Sequence, residues 1–526
     1  MQLPIRTTLM PIMIGTSLLL AACGGGGSSN SDNDNTSGST TPQWVEGTFA
    51  NYSTLANQRS APLTQKLWLR SWSNDTYLWY DEIIDRDPAP YSVAEYFDLL
   101  KTNELSDTGN EKDNFHFSMS TEEWELLNGS GASVGYGMEL SLRQASAGVS
   151  RQVTVAYNEP NSPASIAGVS RGAIIVSVDG VNVANANDSA SIDTLNAGLF
   201  PSVSGKQTVF VVRDLNAQTD RSVTLTAKTV VSTPVQNTKT ITTANGKVGY
   251  LQFNSHIATA EKGLYDAMTT LSNAQVDDLV IDIRYNGGGL LAIASQLAYM
   301  VAGEAATANH VFERTSFNDK YPNTDPVTGQ ALTPMPFIPE SIGFNTSLLR
   351  SGVSLPTLNL NRVFVLTTPG TCSASEALMN ALRGIDIEVI QLGDTTCGKP
   401  YGFVPTDNCS TTYFTIQFSG VNDKGFGEYS DGLIPKQNPN FQNEVRGCTV
   451  SDDLTRPLGD ISEGMLSAAL YHIERGSCPP IAANYAPKTS TTTKQVVGEP
   501  LKMPQDRTQQ MIENNAIFTP LETTNK

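Results

Sequence analysis

Two short stretches in the last third of the chain hold the residue types that acyl-transfer chemistry needs. In Thr371-Cys372-Ser373-Ala374-Ser375-Glu376 a serine sits in a turn of small residues, and the run ALMNALRG behind it places Ala377, Leu378, Ala381 and Leu382 at helical spacing. A serine at a helix start is a nucleophile pattern. The apolar run IEVIQL then reads as a buried strand delivering Cys397-Gly398-Lys399-Pro400, a lysine in a glycine-flanked loop. A serine hydroxyl is a poor nucleophile until a neighbouring base takes its proton, and a lysine amine can take it where burial keeps the amine neutral. The resulting oxyanion needs fixed N–H donors. The amide of Ala374 is one candidate. Asp282-Ile283-Arg284-Tyr285-Asn286-Gly287-Gly288-Gly289 supplies others, because it ends a buried strand in a triple-glycine turn whose N–H groups carry no Cβ obstruction. His256, in FNSH, offers a different base, although a lone histidine at a strand end reads first as a polar surface residue. Glu376 either tunes Lys399 or, the reading preferred here, complements the helix dipole as a third-position carboxylate.

The chain of 526 residues is long enough for several cores, and its formal net charge of −18, with no basic run, excludes a nucleic-acid partner. Its first 23 residues carry Arg6 and then an apolar stretch too short to span a membrane, the form of a secretory signal. The ending Leu20-Ala21-Ala22-Cys23 resembles a bacterial lipobox. That resemblance implies lipidation at Cys23, a lipid-anchored protein of the cell envelope and, since residue 24 is glycine, the periplasmic face of the outer membrane. Five further cysteines follow in a compartment where disulfides persist, so two bridges and one unpaired thiol fit. They lack CxxC spacing, and no metal or cofactor is expected. A bridge between Cys372 and Cys397, which flank the serine and the lysine, would fix the site.

Residues 24–43 are polar and glycine-rich and read as a flexible tether. Residues 44–128 read as a small helical N-terminal domain, with Ser92 and Glu95 as a capping pair and with Trp68, Trp72, Trp79 and Tyr80 as core aromatics. Residues 129–232 break into short β-rich runs. There SPASIAGVSRGAIIVSVDG resembles a PDZ domain, which implies that the loop Gly135-Tyr136-Gly137-Met138 holds a peptide carboxylate on backbone N–H groups while the peptide adds to the sheet edge. Residues 243–476 alternate strand and helix as an α/β domain with functional loops at strand ends. Within it, residues 305–358 look like a long insertion. Residues 477–526 are polar and aperiodic, an expected disordered tail.

The order PDZ-like module, DIRYNGGG, CSASE and GK, with a later DGLIP, resembles the C-terminal processing peptidases, or tail-specific proteases, over roughly residues 130–440. The resemblance implies a multidomain α/β plus β protein with a crotonase-like serine peptidase core. Ser373 becomes the nucleophile, Lys399 the general base, and Gly288 with Ala374 the oxyanion hole; the partners become polypeptide substrates. The family usually has phenylalanine before Gly-Lys and, four residues beyond the lysine, a glutamine that orients it; here Cys397 and Phe403 stand in those places. Gln417 is the candidate substitute. A tricorn-type branch pairs serine with histidine, so a Ser373–His256 unit stays open as a second mechanism. A catalytically silent peptide-binding scaffold stays open as a second function. Oligomeric state is not legible.

Overall fold

The computed structural model describes residues 42–55, 61–106, 108–143, 151–186, 188–480 and 515–516. The signal segment with its lipidation candidate Cys23, nearly all of the tether and most of the tail lie outside the described residues. At the N-terminal end α1 (Tyr52–Leu55), α2 (Pro62–Thr76) and α3 (Val93–Asp98) pack around Leu67, Trp68, Leu69, Trp72 and Phe97. Proline opens α2, where a missing N–H costs nothing. Ser92 and Glu95 cap α3 reciprocally, at 3.2 and 2.8 Å. Trp68 and Trp72 stack in the core, whereas Trp79 and Tyr80 stay half-buried. The expected run of helices is broken by a strand, β1 (Phe117–Ser120), before α4 (Thr121–Ser130). β1 pairs with residues 411–414, and the Phe117 and Phe414 rings stack at 4.3 Å. This segment is therefore built into the rest of the molecule.

The next body holds β2 (Ala132–Gly135), β3 (Met138–Arg143), β4 (Gln152–Asn158), α5 (Pro163–Ile166), β5 (Ile174–Val178), β6 (Val181–Asn182), α6 (Ser189–Leu199), β7 (Gln207–Arg213), β8 (Arg221–Thr226) and β9 (Lys228–Val231). Its main sheet runs β3-β4-β5-β7-β8, with β6 on β5, and β2 pairs apart with β9. Alternating inward residues such as Val153, Val155, Phe210 and Val212 close a core of their own, and β3 is left at an edge.

The remaining elements are β10 (Val235–Thr243), β11 (Gly246–Phe253), α7 (Ala260–Ala274), β12 (Asp278–Asp282), α8 (Leu291–Ala302), α9 (Glu304–Thr307), β13 (Val311–Ser316), β14 (Met335–Pro336), β15 (Arg362–Thr367), α10 (Ala374–Gly384), β16 (Glu388–Gly393), β17 (Tyr401–Phe403), β18 (Thr406–Asn408), β19 (Thr411–Phe414), β20 (Phe418–Val421), β21 (Ile434–Lys436), β22 (Glu444–Thr449), α11 (Gly464–Arg475) and β23 (Asn515–Ala516). A seven-stranded sheet runs β10-β11-β12-β15-β16-β22-β21. Every residue of β12 is buried, as expected of a strand with parallel neighbours on both sides and helices over both faces. A second sheet, β14-β13-β20-β17-β23, and a third, β1-β19-β18, stand beside it. The long insertion is tied down by Glu261, whose buried carboxylate accepts N–H bonds from Ile342, Gly343 and Phe344. Cys372–Cys397 and Cys448–Cys478 are bridged, and Cys409 is unbridged.

Candidate active site

Ser373 caps α10 at φ 61° and ψ −119°, a sparsely populated conformation for a residue with a Cβ. Strain of this kind costs on the order of 1–3 kcal/mol and persists only where neighbours enforce it. Thr371 donates through Oγ1 to the Ile283 carbonyl (2.9 Å), and Cys372 N–H and Ser375 Oγ both reach the Asn286 carbonyl, at 3.1 and 3.0 Å. The turn before α10 is thus clamped onto the loop after β12. Ser373 Oγ itself has no hydrogen-bond partner among the described residues.

Lys399 leaves β16 through Gly398, whose φ of +88° and near contact with the Ser430 carbonyl leave no room for a Cβ. The serine turn and this loop meet at Glu376. Its fully buried carboxylate accepts N–H bonds from Ser373 (2.9 Å), Gly398 (2.9 Å) and Lys399 (2.8 Å), and an O–H bond from Thr396 (2.5 Å). Burial pushes this carboxyl above its ordinary range, while those hydrogen bonds hold it back. Glu376 thus caps the start of α10 and at the same time holds the lysine loop. The Cys372–Cys397 bridge, with Cα atoms 5.2 Å apart, makes the same connection covalently.

The Lys399 amine nitrogen lies over two rings, 4.6 Å from the Phe115 centroid and 4.7 Å from that of Phe403, and the residue is fully buried. Gln417 Oε1 accepts from Val404 N–H (2.7 Å) and its Nε2 donates to Thr76 Oγ1 (3.2 Å), so it pins the end of β17 to α2. Phe115 escaped the sequence reading, because nothing in local pattern links residues 115 and 399.

The glycine turn is where the sequence suggested. A Cβ on Gly288 would stand 2.7 Å from Ser373 Cβ and 2.9 Å from Ala374 N, so only glycine allows this approach. Gly288 N–H, however, is engaged by Asn286 Oδ1 at 3.0 Å. The same oxygen accepts from His256 Nδ1 (2.9 Å), and Asn286 Nδ2 donates to the Phe253 carbonyl (3.0 Å). His256 is therefore no surface residue: it is fully buried, its Nε2 lacks a partner among the described residues, and burial pushes it down to about 4, opposed by hydrogen bonds with Asn286 and Gly288. Arg284 holds the turn from behind, through Asp282, Asp452 and Glu463.

The loop Gly135-Tyr136-Gly137-Met138 leads into the edge strand β3. Tyr136 turns inward, its hydroxyl bonded to Thr208 Oγ1 at 2.8 Å, and its carbonyl accepts from Ala164 N–H. Gly137 has a φ of +69° and packs so closely on Ser162 that a Cβ would clash.

The family model described as peptidase family S41 matches residues 247–416. The chain is 27% identical over 247 residues to a carboxyl-terminal-processing protease of Picosynechococcus sp., covering 46% of this chain and 49% of that protein. It is 27% identical over 288 residues to a chloroplastic C-terminal processing peptidase of Tetradesmus obliquus, covering 52% and 53%. The chain thus spans about half the length of the curated relatives it matches. A solved structure described as an S41 protease candidate from Bacteroides fragilis superposes with a TM-score of 0.54 at 24% identity, over 78% of this chain and 97% of that one, a likeness of fold.

Proposed function

We propose, from the match of residues 247–416 to the model of peptidase family S41, that this protein is a serine endopeptidase of the C-terminal processing type. Ser373 Oγ attacks the scissile carbonyl as Lys399 Nζ takes its proton, giving an acyl-enzyme that water then resolves with the same amine as base. Ala374 N–H and Gly288 N–H receive the oxyanion, the latter shared with or released by Asn286 Oδ1. One observation carries this reading: a single buried carboxylate, Glu376, binds the N–H of both Ser373 and Lys399. His256, held near a pKa of 4 by burial, is a poor proton acceptor at neutral pH, which favours the amine. Ser373 and Lys399 are both fully buried, so a polypeptide reaches them only when the elements packed over them shift. The substrates in this proposal are unfolded or C-terminal segments of exported proteins. The β3 edge and the Gly135–Met138 loop engage them as a PDZ domain would, and Cys23 anchors the protein to the periplasmic face of the outer membrane.

The test is cleavage of a loosely folded protein such as casein. Ser373→Ala and Lys399→Ala each abolish it while circular dichroism stays unchanged, and kcat/KM rises with pH because only a neutral amine accepts a proton. Wild-type protein that binds such a peptide without cutting it would make the silent scaffold the better reading. Loss of activity in His256→Ala with full activity in Lys399→Ala would move the base to the histidine.

A further inference from the structure

The N-terminal segment reaches the lysine, and it does so through fixed contacts. Phe115 N–H donates to Asp113 Oδ1 (2.8 Å), and the other oxygen of that buried carboxylate accepts from Tyr77 OH (2.7 Å). The next residue, His116, is held at both ring nitrogens, by Thr415 Oγ1 (2.9 Å) and the Phe97 carbonyl (2.8 Å). Phe117 then enters the β1–β19 ladder opposite Phe414. His116 and Phe117 are thus fastened to residues 414–415, Phe115 is tied through Asp113 to Tyr77, and the Phe115 ring lies over the Lys399 amine. The Phe403 ring lies over it as well.

We propose that Phe115 is a positioning residue: with Phe403 it clamps the Lys399 amine under two rings and keeps water from it, so that the N-terminal segment completes the catalytic centre. The inference rests on the reading of Lys399 as general base. Two ring effects oppose each other. A ring face attracts the ammonium form, by about 2 kcal/mol once the pair is desolvated, and phenylalanine is a weaker partner of that kind than tryptophan. Exclusion of water disfavours the ammonium form and is the larger effect for a fully buried amine. The bulk of the ring, more than its face, therefore keeps the amine able to accept a proton.

The full-length protein carrying Phe115→Ala, Phe115→Leu or Lys399→Ala is assayed for kcat/KM against pH, with thermal unfolding measured alongside. Phe115→Ala moves the rising limb to higher pH, and activity at pH 7 falls about tenfold for each unit of that movement. Phe115→Leu keeps apolar bulk without the ring face and restores the wild-type limb. Should the alanine variant fail to fold, Phe115→Val is read in its place. The proposal is overturned by an alanine limb that superimposes on wild type, or by a leucine variant displaced as far as alanine. An inert Lys399→Ala beside an unmoved Phe115→Ala limb sinks the clamp alone; an active Lys399→Ala sinks the base assignment itself.

Discussion

Glu376 shows how much one side chain can decide. Its two oxygens take four donors from both loops of the site, so Glu376→Gln turns an NH2 group toward N–H donors that need an acceptor. A buried donor left unmatched costs about 1–3 kcal/mol. We expect urea unfolding to register a loss of that size, and kcat to fall at least about tenfold through displacement of Ser373 and Lys399. The sequence exposed Ser373, Lys399 and Gly288 because each sits in a short motif whose neighbours announce the geometry: small residues for a turn, glycines for a close approach. It misjudged His256, since a strand-end histidine looks solvated until the loop that covers it, residues 286–289, is placed. It could not find Phe115, whose partner lies at the far end of the chain and leaves no periodicity between them.

Strand β13 carries an anomaly at the next scale up. Its buried side includes Glu313, which sits where Gly420 on β20 leaves space; a Cβ there would come within 2.3 Å of the Glu313 carboxyl carbon. Burial alone pushes this carboxyl from 4.5 up to about 8, and Oε1 has no hydrogen-bond partner among the described residues. The folded protein therefore keeps a proton that the unfolded chain loses near 4.5. Stability should fall as pH rises from about 5 to about 8. Unfolding of wild type and Glu313→Gln at both pH values checks this: the advantage of the glutamine variant grows with pH, by at most about 4–5 kcal/mol. The long parallel strands were legible as unbroken apolar runs, because burial on both faces removes the alternation that polar edges would impose. β1 was not, since Phe-Ser-Met-Ser has strand character only once Thr411–Phe414 lies beside it.

Across the whole molecule, one ionic junction ties the β-rich body to the α/β body. Arg171, ahead of β5, donates to Tyr285 OH (2.6 Å) and to Asp452 (2.7 Å), and Arg284 shares that carboxylate at 2.8 Å. Tyr285 lies in the same loop as the glycine turn. Although burial raises the Asp452 carboxyl, Arg171, Arg284 and Tyr285 bring it down to about 2. Its stabilisation is present above the ordinary value of 3.8 and is lost as pH falls toward 2. Replacing Arg171 by methionine should cost about 3 kcal/mol in thermal unfolding above pH 5, with less penalty near pH 2, and should lower kcat at temperatures where the fold persists. The bridge between Cys372 and Cys397 has a consequence of another kind. It closes a covalent ring through α10 and β16, and closing a ring of this size removes about 3.5 kcal/mol of freedom from the unfolded chain. An oxidised chain that has lost every strand still keeps Ser373 and Lys399 as near neighbours. The pair to which our proposal gives the chemistry is then a memory carried through denaturation, and on that proposal regain of activity on refolding waits on the surrounding sheets rather than on the encounter of the two residues.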